Sequence, residues 1–397
     1  MNGKQSQMNP DKSHLNTSQC ASSGCPAGSP RGTRPVPVFR DGAGPQHADT
    51  LVSIIVPCRD EAKSIHAFLR SLLNQERGDF SWEAIIADGL SEDGTREILC
   101  QYGEKYPQIR VIDNSGIIAS TGLNACIREA RGDILVRMDV HTEYKSDYVL
   151  RCVEVLRRTD AANVGGACIA VQSGRVGGAI AAAFHSPFAV GGAQWHQPGY
   201  EGPVDTVHLG CWRREVLEQA GGFDETLVRN QDDELNLRLT RAGGKIWQSP
   251  AIVSWYHPRS SLAALFRQYF QYGFWKVAVI RKHGQPASWR HLVPGTFVLA
   301  NLVLFALVFL QMLFGRSPMS DFAVVGIALD TAYAGAVLTA SFRVAKKEGW
   351  NLLPVLPLVF ATFHIAYGLG FLSGMFHFLT APRRVAHGAP VSTPFNR

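Results

Sequence analysis

The chain lacks the cysteine spacings that structural zinc sites and disulfide scaffolds need. It has eight cysteines in 397 residues, but no CxxC pair and no His/Cys cluster at zinc spacing. Several of them, including Cys58, Cys126, Cys152 and Cys168, lie in or beside apolar segments, where a free thiol packs as a small hydrophobe. We therefore expect a reducing, cytosolic setting for these residues.

Two further absences narrow the class of protein. Residues 1–50 are rich in Ser, Gly, Pro and Gln and lack the apolar core of a signal peptide, so we predict a disordered tail there. The net charge is +6, yet no basic run interleaved with aromatics occurs in the globular part, which argues against nucleic acid as a partner. Anionic lipid headgroups and phosphorylated substrates are the expected partners.

The glycine-rich phosphate loop of dinucleotide-binding enzymes is also missing. A Gly-x-Gly-x-x-Gly fingerprint would follow the first strand, but that place holds Pro57-Cys58-Arg59-Asp60-Glu61. This excludes a hydride-transfer enzyme of that type. Since acidic groups replace glycine amides, a bound diphosphate would have to be bridged by a metal ion.

What the chain does contain is a regular alternation of short apolar runs and amphipathic helical segments. The apolar runs predict strands at Leu51–Pro57, Trp82–Asp88, Ile109–Asp113 and Gly132–Asp139. Such an alternation predicts an α/β fold with a mostly parallel sheet, helices on both faces and right-handed crossovers.

Polar side chains follow these strands where each one ends, and the carboxyl edge of an open α/β sheet is where ligands bind. The fourth strand ends in Asp139-Val140-His141, and residues two apart on an extended segment point to the same side. This pair is a candidate metal site for a diphosphate, although a strand followed by a solvated turn is the alternative. The other loops contribute Asp60, Glu61, Asp88, Ser91, Asp93 and Asn124.

Two later segments leave alternatives open. The Gly/Ala-rich stretch from Gly174 to Gly192 suits either close backbone packing or a mobile flap. Asp232, Asp233 and Glu234 open a predicted helix, where carboxylates either cap the first turn or take part in catalysis.

Taken in order, the motifs resemble those of the family 2 glycosyltransferases with the GT-A fold, and among them the bacterial exopolysaccharide glucosyltransferases of the succinoglycan-biosynthesis type. The resemblance runs from about Val52 to Trp275. The matching blocks are Val-Ser-Ile-Ile-Val-Pro-x-x-Asp-Glu at 52–61, Ile-Ile-Ala-Asp-Gly-x-Ser-x-Asp-Gly-Thr at 85–95, Gly-Gly-Phe-Asp at 221–224 and Gln-Asp-Asp-Glu-Leu at 231–235.

The resemblance implies a role for each of these residues. Asp139-Val140-His141 stands at the family's Asp-x-Asp position, and because imidazole suits Mn²⁺ better than Mg²⁺, manganese is favoured. Asp232 is the implied catalytic base, with Asp233 as the alternative. The implied nucleotide site consists of Pro57, Glu61, Asp88, Ser91, Asp93 and Asn124, with Asp88 receiving the uracil imide.

The C-terminal part predicts membrane association. A basic, aromatic-rich helix from about Ser260 to Lys282 is typical of an interfacial element, and three apolar stretches follow, each long enough to cross a bilayer. These stretches are Leu292–Phe314, Phe322–Phe342 and Leu352–Phe378, the second containing Asp330. Arg343, Lys346 and Lys347 indicate a cytoplasmic loop, but three spans would then place Arg383-Arg384 outside, which leaves the number of spans open.

We therefore expect an inverting, metal-dependent glycosyltransferase of the bacterial inner membrane with a cytoplasmic catalytic domain. It would transfer a sugar, glucose by preference, from a UDP-sugar to a polyprenyl-diphosphate-linked saccharide in exopolysaccharide assembly. The expected organisation is a tail (1–50), a GT-A domain (51–258), an interfacial region (259–290), a transmembrane region (291–380) and a second tail (381–397). The alternatives are a processive synthase, disfavoured because the segment before Trp275 lacks the family's Arg, and a non-catalytic nucleotide-sugar-binding membrane subunit.

Overall fold

A computed structural model of the chain describes residues 50–315, 317 and 321–380. The tails predicted at 1–50 and 381–397 lie outside the described residues, except that Thr50 begins the first strand. The strands are β1 Thr50–Cys58, β2 Phe80–Asp88, β3 Ile109–Asp113, β4 Ile134–Arg137, β5 Thr142–Tyr144, β6 Asn163–Gly166, β7 Cys168–Ala170, β8 Gly202–Pro203, β9 His208–Arg213, β10 Ile246–Gln248 and β11 Ser254–Tyr256.

The helices follow the strands in the order that the apolar periodicity predicts. They are α1 Ile65–Leu73, α2 Thr95–Lys105, α3 Ala119–Glu129, α4 Tyr148–Thr159, α5 Arg175–Phe184, α6 Pro187–Val190, α7 Arg214–Ala220, α8 Gln231–Arg241, α9 Leu262–His283, α10 Val293–Leu313, α11 Asp321–Glu348 and α12 Leu356–Thr380. Short 3₁₀ helices lie at Gln194–His196, Trp289–His291 and Trp350–Leu352.

The main sheet has the order β3-β2-β1-β4-β9-β6-β10-β8. Strands β1 to β4 pair with one another in parallel, and β10 is parallel to β6. Strand β9 runs antiparallel to β4 and β6, and β10 pairs antiparallel with the short edge strand β8. The predicted α/β fold, with a mostly parallel sheet of the GT-A type, is confirmed.

The apolar run of β1 is continuous because both faces of the strand are buried. Val52, Ile54 and Val56 face the core that α1 and α4 cover, whereas Ile55 faces the core that α3, α7 and α8 cover. This packing aligns the carboxyl ends of β1 and β2, so that Cys58 lies opposite Asp88 in the register. The loops that follow these strands therefore meet at one edge.

A second sheet, of order β5-β11-β7, lies beside the carboxyl end of β4. Strand β5 begins directly after His141 and pairs antiparallel with β11. This small sheet holds the segment that carries Asp139 and His141.

The Gly/Ala-rich stretch forms α5 and α6, and it packs closely rather than standing apart as a flap. Ala179, Ile180 and Ala183 on α5 are buried in one core with Val359 and Phe360 of α12. The small side chains allow this close approach to the C-terminal helices.

In the part of the chain that the structure describes, three helical segments are long and apolar enough to cross a membrane. They are Trp289–Leu313, which joins the second 3₁₀ helix to α10, Asp321–Glu348 and Leu356–Thr380, with mean hydropathies of 2.3, 1.6 and 1.5. Helix α9 precedes them, as predicted from its basic and aromatic composition. It is enclosed, with Phe274 and Trp275 buried between the α/β part and α12.

Candidate active site

One arginine joins the two acidic positions that the motifs single out. Arg137, the last residue of β4, donates from Nε and Nη2 to both oxygens of Asp139, at 2.9 and 3.0 Å. Its Nη1 donates to Asp232 Oδ1 at 2.5 Å, although Asp232 lies 95 residues later in the first turn of α8. The Arg137 side chain is only 5% exposed, and its guanidinium forms ion pairs with these two carboxylates. The structure thus brings Asp139 and Asp232 to the same guanidinium.

The electrostatics of this bridge differ for its two carboxylates. Burial opposes the ionisation of Asp139, but the charge and hydrogen bonds of Arg137 outweigh it and hold the pKa of Asp139 below its usual value. For Asp232, burial is the largest influence and the charges of Asp139 and Asp233 add to it, so that its pKa rises to about 6 although Arg137 opposes the shift. A carboxylate with a pKa near 6 is suited to accept a proton near neutral pH.

Asp233 forms an ion pair with a different residue, Lys276 of α9. Its Oδ2 accepts a hydrogen bond from Lys276 Nζ of α9 at 2.5 Å, and the Lys276 side chain is only 6% exposed. Burial raises the pKa of Asp233, but the charge of Lys276 more than offsets this and the net pKa is lowered. Of the two alternatives for a base, Asp232 has the environment that favours proton acceptance, while Asp233 ties α8 to α9.

His141 faces Glu61, a residue of the first loop. Its Nδ1 lies 3.5 Å from Glu61 Oε1, and this contact, with the nearby Asp139, raises the pKa of His141. The backbone N–H of Asp139 donates to Tyr144 Oη at 2.6 Å, which fixes the turn between the two motif residues. Glu61, Asp139 and His141 therefore lie close together.

Asp139 and His141 fit a divalent cation of a particular kind. The residues that the structure describes contain no group of three or more His, Cys, Asp or Glu side chains placed to hold a metal. A carboxylate keeps lone pairs beyond the two that Arg137 uses, and a hard cation can be bound by two side chains when substrate phosphates and water complete its coordination. The donor set suits a metal that arrives with a diphosphate.

The predicted nucleotide loop is held together by its own polar side chains. Asp88, fully buried at the end of β2, accepts hydrogen bonds from Ser91 Oγ at 2.6 Å and from Arg96 Nη1 at 3.0 Å. Asp93 accepts from the backbone N–H of Ala62 at 3.0 Å and from Thr95 Oγ1 at 2.5 Å. These bonds join the loop after β2 to the loop after β1 that carries Pro57 and Glu61.

Three of the six non-glycine residues with positive φ angles in the described part of the chain lie in the loops that follow β1, β2 and β3. Asp60, Leu90 and Ile117 have positive φ angles of 53°, 58° and 70°, a conformation that a β-branched residue such as Ile117 rarely adopts. Strained backbone of this kind is typical of ligand-binding loops. Leu90 and Ile117 are also exposed, at 46% and 37%.

Asn124, another residue predicted for the nucleotide site, is hydrogen-bonded to the Gly-Gly-Phe-Asp turn. It lies on α3, accepts from the backbone N–H of Phe223 and donates to the Phe223 carbonyl, both at 2.8 Å. Gly222, with a φ of 71°, approaches so closely that a Cβ there would lie 2.5 Å from Asn124 Oδ1. Asn124 thus holds the Gly-Gly-Phe-Asp turn in place. The roles predicted for the residues of the nucleotide site, including that of Asp88 toward uracil, stay predictions.

Sequence reasoning missed three residues that the geometry makes prominent, namely Arg137, Tyr144 and Lys276. A signal for Arg137 was present, because a charged residue inside the buried run Ile134–Met138 needs carboxylate partners. The partner of Lys276 lies 43 residues away in the chain and could not be found from local pattern.

Comparisons with known proteins agree with this geometry. The profile described as glycosyl transferase family 2 matches residues 53–221. The chain is 31% identical to the succinoglycan biosynthesis protein ExoA of Rhizobium meliloti (strain 1021) over 336 residues, which cover 84% of this chain and 96% of that protein. It is 26% identical over 333 residues to a Methanococcus voltae protein named dolichyl N-acetyl-alpha-D-glucosaminyl phosphate 3-beta-D-2,3-diacetamido-2,3-dideoxy-beta-D-glucuronosyltransferase, covering 82% of this chain and 97% of that one.

A solved structure shares the fold. The mannosyltransferase PcManGT from Pyrobaculum calidifontis, in complex with GDP-Man and Mn²⁺, superposes with a TM-score of 0.50 at 20% identity. The match covers 81% of this chain and 86% of that structure. At this identity the likeness establishes the fold alone.

Proposed function

The chain belongs to the family 2 glycosyltransferases, and from this premise we propose that it transfers glucose from a UDP-sugar to a lipid-linked saccharide in bacterial exopolysaccharide synthesis. Glycosyl transfer in glycan biosynthesis is the family's activity. The choice of UDP-glucose and of a polyprenyl diphosphate acceptor extends the likeness to the succinoglycan protein. The observation that supports a catalytic role is the Asp139–Arg137–Asp232 bridge, in which the proposed metal ligand and the proposed base pair with one guanidinium.

Asp232 is the proposed general base. With a pKa raised to about 6 it is mostly ionised at neutral pH, and its side chain is 33% exposed to the cleft. It would take the proton from the acceptor hydroxyl as that oxygen attacks the anomeric carbon. A single displacement from an α-linked donor inverts the anomeric centre and gives a β-linked product.

Asp139 and His141 would hold a divalent cation, Mn²⁺ in preference to Mg²⁺, and such a cation neutralises charge on a departing diphosphate. Arg137 has a separate role. By pairing with Asp139 and Asp232 together it keeps both carboxylates ionised and oriented in a partly buried site. The loop of Asp88, Ser91 and Asp93 is preorganised by its internal hydrogen bonds, which reduces the ordering cost of binding a nucleotide.

The proposed acceptor is lipid-linked because the catalytic residues are joined to helices of membrane-spanning character. Lys276 of α9 pairs with Asp233, the neighbour of the proposed base, and α9 packs against α12. We assign residues 51–258 to a cytoplasmic catalytic domain and residues 291–380 to the membrane region of an inner-membrane enzyme. Addition of one sugar needs only such an anchor.

The test is a donor screen with the full chain purified in detergent, Mn²⁺ and a lipid extract, reading released nucleotide. We expect release from UDP-glucose, and we expect Asp232→Asn to lower kcat by orders of magnitude with donor affinity retained. Asp233→Asn should retain far more activity at a temperature where it stays folded. Loss of kcat in Asp233→Asn alone would overturn the assignment of the base, and a ladder of long products would favour a processive synthase.

A further inference from the structure

We propose that only α10 and α11 cross the bilayer and that α12 lies along its cytoplasmic surface, so that the end of the chain returns to the side of the catalytic domain. Helix α12 has the length and hydropathy of a span. Its surroundings differ from those of the other two helices, because 44% of its most apolar window is buried in the protein, compared with 11% for α10 and 6% for α11.

Helix α12 runs parallel to α9 with their backbones in contact. Tyr269 packs on Phe363 with ring centroids 4.3 Å apart, a Cβ on Gly370 would lie 2.0 Å from the Phe270 carbonyl oxygen, and one on Gly374 would lie 2.6 Å from that of Phe274. Further along, Phe274 packs on Phe378 with ring centroids 5.2 Å apart. The two helices therefore share one direction over most of the length of α12.

The same stretch of α9 is bound to the α/β part by polar contacts. Asn230 donates to the Tyr272 carbonyl at 2.9 Å, Lys276 pairs with Asp233 at 2.5 Å, and Lys282 pairs with Glu234 at 2.8 Å. Asn230, Asp233 and Glu234 lie in helix α8 or directly precede it. This part of the proposed active site must remain accessible to water-soluble donors. The α9 segment from 272 to 282 cannot enter hydrocarbon, and neither can the part of α12 beside it.

The first half of α12 is attached to the α/β part as well. Phe360 packs against Phe188 of α6 with centroids 5.4 Å apart, and His364 Nε2 donates to the Phe188 carbonyl at 2.9 Å. Contacts with α9 begin at Phe363, whose ring centroid lies 4.3 Å from that of Tyr269. The stretch of α12 before these contacts is thus about seven residues long, roughly 10 Å at 1.5 Å per residue, which is about a third of a bilayer core of about 30 Å.

Helices α10 and α11 form a hairpin that stands out from this layer. The start of α10 touches α12, where a Cβ on Gly368 would lie 2.5 Å from the Pro294 carbonyl oxygen, and beyond Val298 no described residue of α10 is buried. On α11 the buried residues begin only at Val337. About 15 residues of each helix therefore project, roughly 23 Å, which crosses the core when the α9–α12 layer sits about 5–10 Å deep in the interface.

The exposed apolar side chains of α12 lie on one helical face. They are Leu358, Ile365, Met375, Phe376 and Leu379, at 58%, 38%, 37%, 75% and 76% exposure. Trp289 and Trp350, at 78% and 59%, flank the hairpin at the level where tryptophans favour the interface. In this arrangement the exposed face of α12 contacts the lipid headgroup region of the cytoplasmic leaflet.

This arrangement resolves the conflict between the basic clusters of the sequence. With two spans, Arg290 before the hairpin, Lys346 and Lys347 after it, and the Arg383-Arg384 pair that follows α12 all fall on one side. Three spans would put Arg383-Arg384 on the opposite side from the others, against the positive-inside rule.

The experiment labels single added cysteines in the full chain with a maleimide that does not cross membranes, in intact and in lysed spheroplasts. Ser317→Cys, in the α10–α11 connection, should be labelled in intact spheroplasts, and Thr380→Cys, at the end of α12, only after lysis. The unsubstituted chain is the matched control, since its native cysteines give the background. Labelling of Thr380→Cys in intact spheroplasts, or no labelling of Ser317→Cys there, would overturn the proposal.

A second measurement does not depend on either substitution. Alkaline phosphatase, which is active only after export, or green fluorescent protein, which fluoresces only in the cytoplasm, is joined to the end of the complete chain. We expect fluorescence and no phosphatase activity. The reverse would mean that α12 crosses the bilayer, and neither result depends on which sugar is transferred.

Discussion

Replacing Arg137 by Gln should move the acid limb of the pH–rate profile to higher pH. In the intact site Asp232 has a pKa of about 6, the result of burial and like charges that raise it and of Arg137 that lowers it. An opposite charge at hydrogen-bond distance lowers a carboxyl pKa by about 1–3 units, so the variant should have its limb at about pH 7–9.

The size of the effect on rate follows from the ionised fraction of the base. With a pKa of about 6, about 90% of Asp232 is ionised at pH 7; with a pKa of about 8, only about 9% is, which is about a tenfold loss of kcat from this cause. The loss should shrink as the pH is raised, since a stronger base that is fully ionised still functions. The apparent pKa of this acid limb belongs to the Asp139–Asp232 pair and not to Asp232 alone, because the two carboxylates interact.

The assay is kcat at saturating donor and metal from pH 5 to 9, with thermal unfolding measured in parallel. Arg214→Gln is the matched control, because Arg214 is a partly buried arginine that donates to the Gly132 carbonyl at 2.8 and 2.7 Å and pairs with neither site carboxylate. It should lower stability without moving the limb. An unmoved limb in Arg137→Gln would refute the electrostatic role of this arginine.

Three further outcomes are expected. His141→Asp should lower the ratio of activity in Mn²⁺ to activity in Mg²⁺, and an unchanged ratio would count against His141 as a ligand. Asp232→Asn should raise Tm at pH 8 and leave it unchanged at pH 3, because a carboxyl whose pKa is raised on folding favours the folded state at low pH and loses that contribution as the pH passes about 6. Gly370→Leu should destabilise the protein in detergent by about 1–3 kcal/mol or more, since its side chain would meet the Phe270 carbonyl, whereas Gly335→Leu, with open space around it, should not.

Much of the sheet could be predicted because its signals are local. The apolar run predicted at Leu51–Pro57 lies within β1, and that at Ile109–Asp113 coincides with β3. A strand buried on both faces has no polar position to interrupt it, so the pattern is visible without knowledge of its neighbours. The loops at the carboxyl edge follow from the same alternation.

The site could be predicted only as a set of residue types, because its geometry depends on long-range packing. The meeting of Arg137 with Asp232 requires β4 and the start of α8 to converge across 95 residues of chain. Asn124 shows the same limit, because its hydrogen bonds to Phe223 join residues 99 positions apart and have no local signal in the sequence. The placement of α12 relative to the membrane could not be predicted for the same reason. Hydropathy shows that α12 is apolar, but it does not show that the more polar helix α9 lies alongside it.

The Asp233–Lys276 pair gives a prediction whose direction follows from the exposure of its two members. Lys276 is 6% exposed and Asp233 32%, so removing the aspartate leaves a buried ammonium without a counter-ion, whereas removing the lysine leaves a carboxylate that can reach water. Asp233→Asn should therefore cost about 3–5 kcal/mol of stability, and Lys276→Met, which keeps the packing of the stem, about 1–2 kcal/mol.

The double variant Asp233→Asn/Lys276→Met completes a cycle measured by thermal unfolding in detergent. Because it buries no unpaired charge, it should be more stable than Asp233→Asn alone, although it contains one substitution more. The same cycle read by kcat separates anchoring from catalysis: if Asp233 only holds α8 against α9, the double variant recovers activity together with stability. A double variant that regains stability while kcat stays at the level of Asp233→Asn would show instead that this carboxylate takes part in the transfer itself.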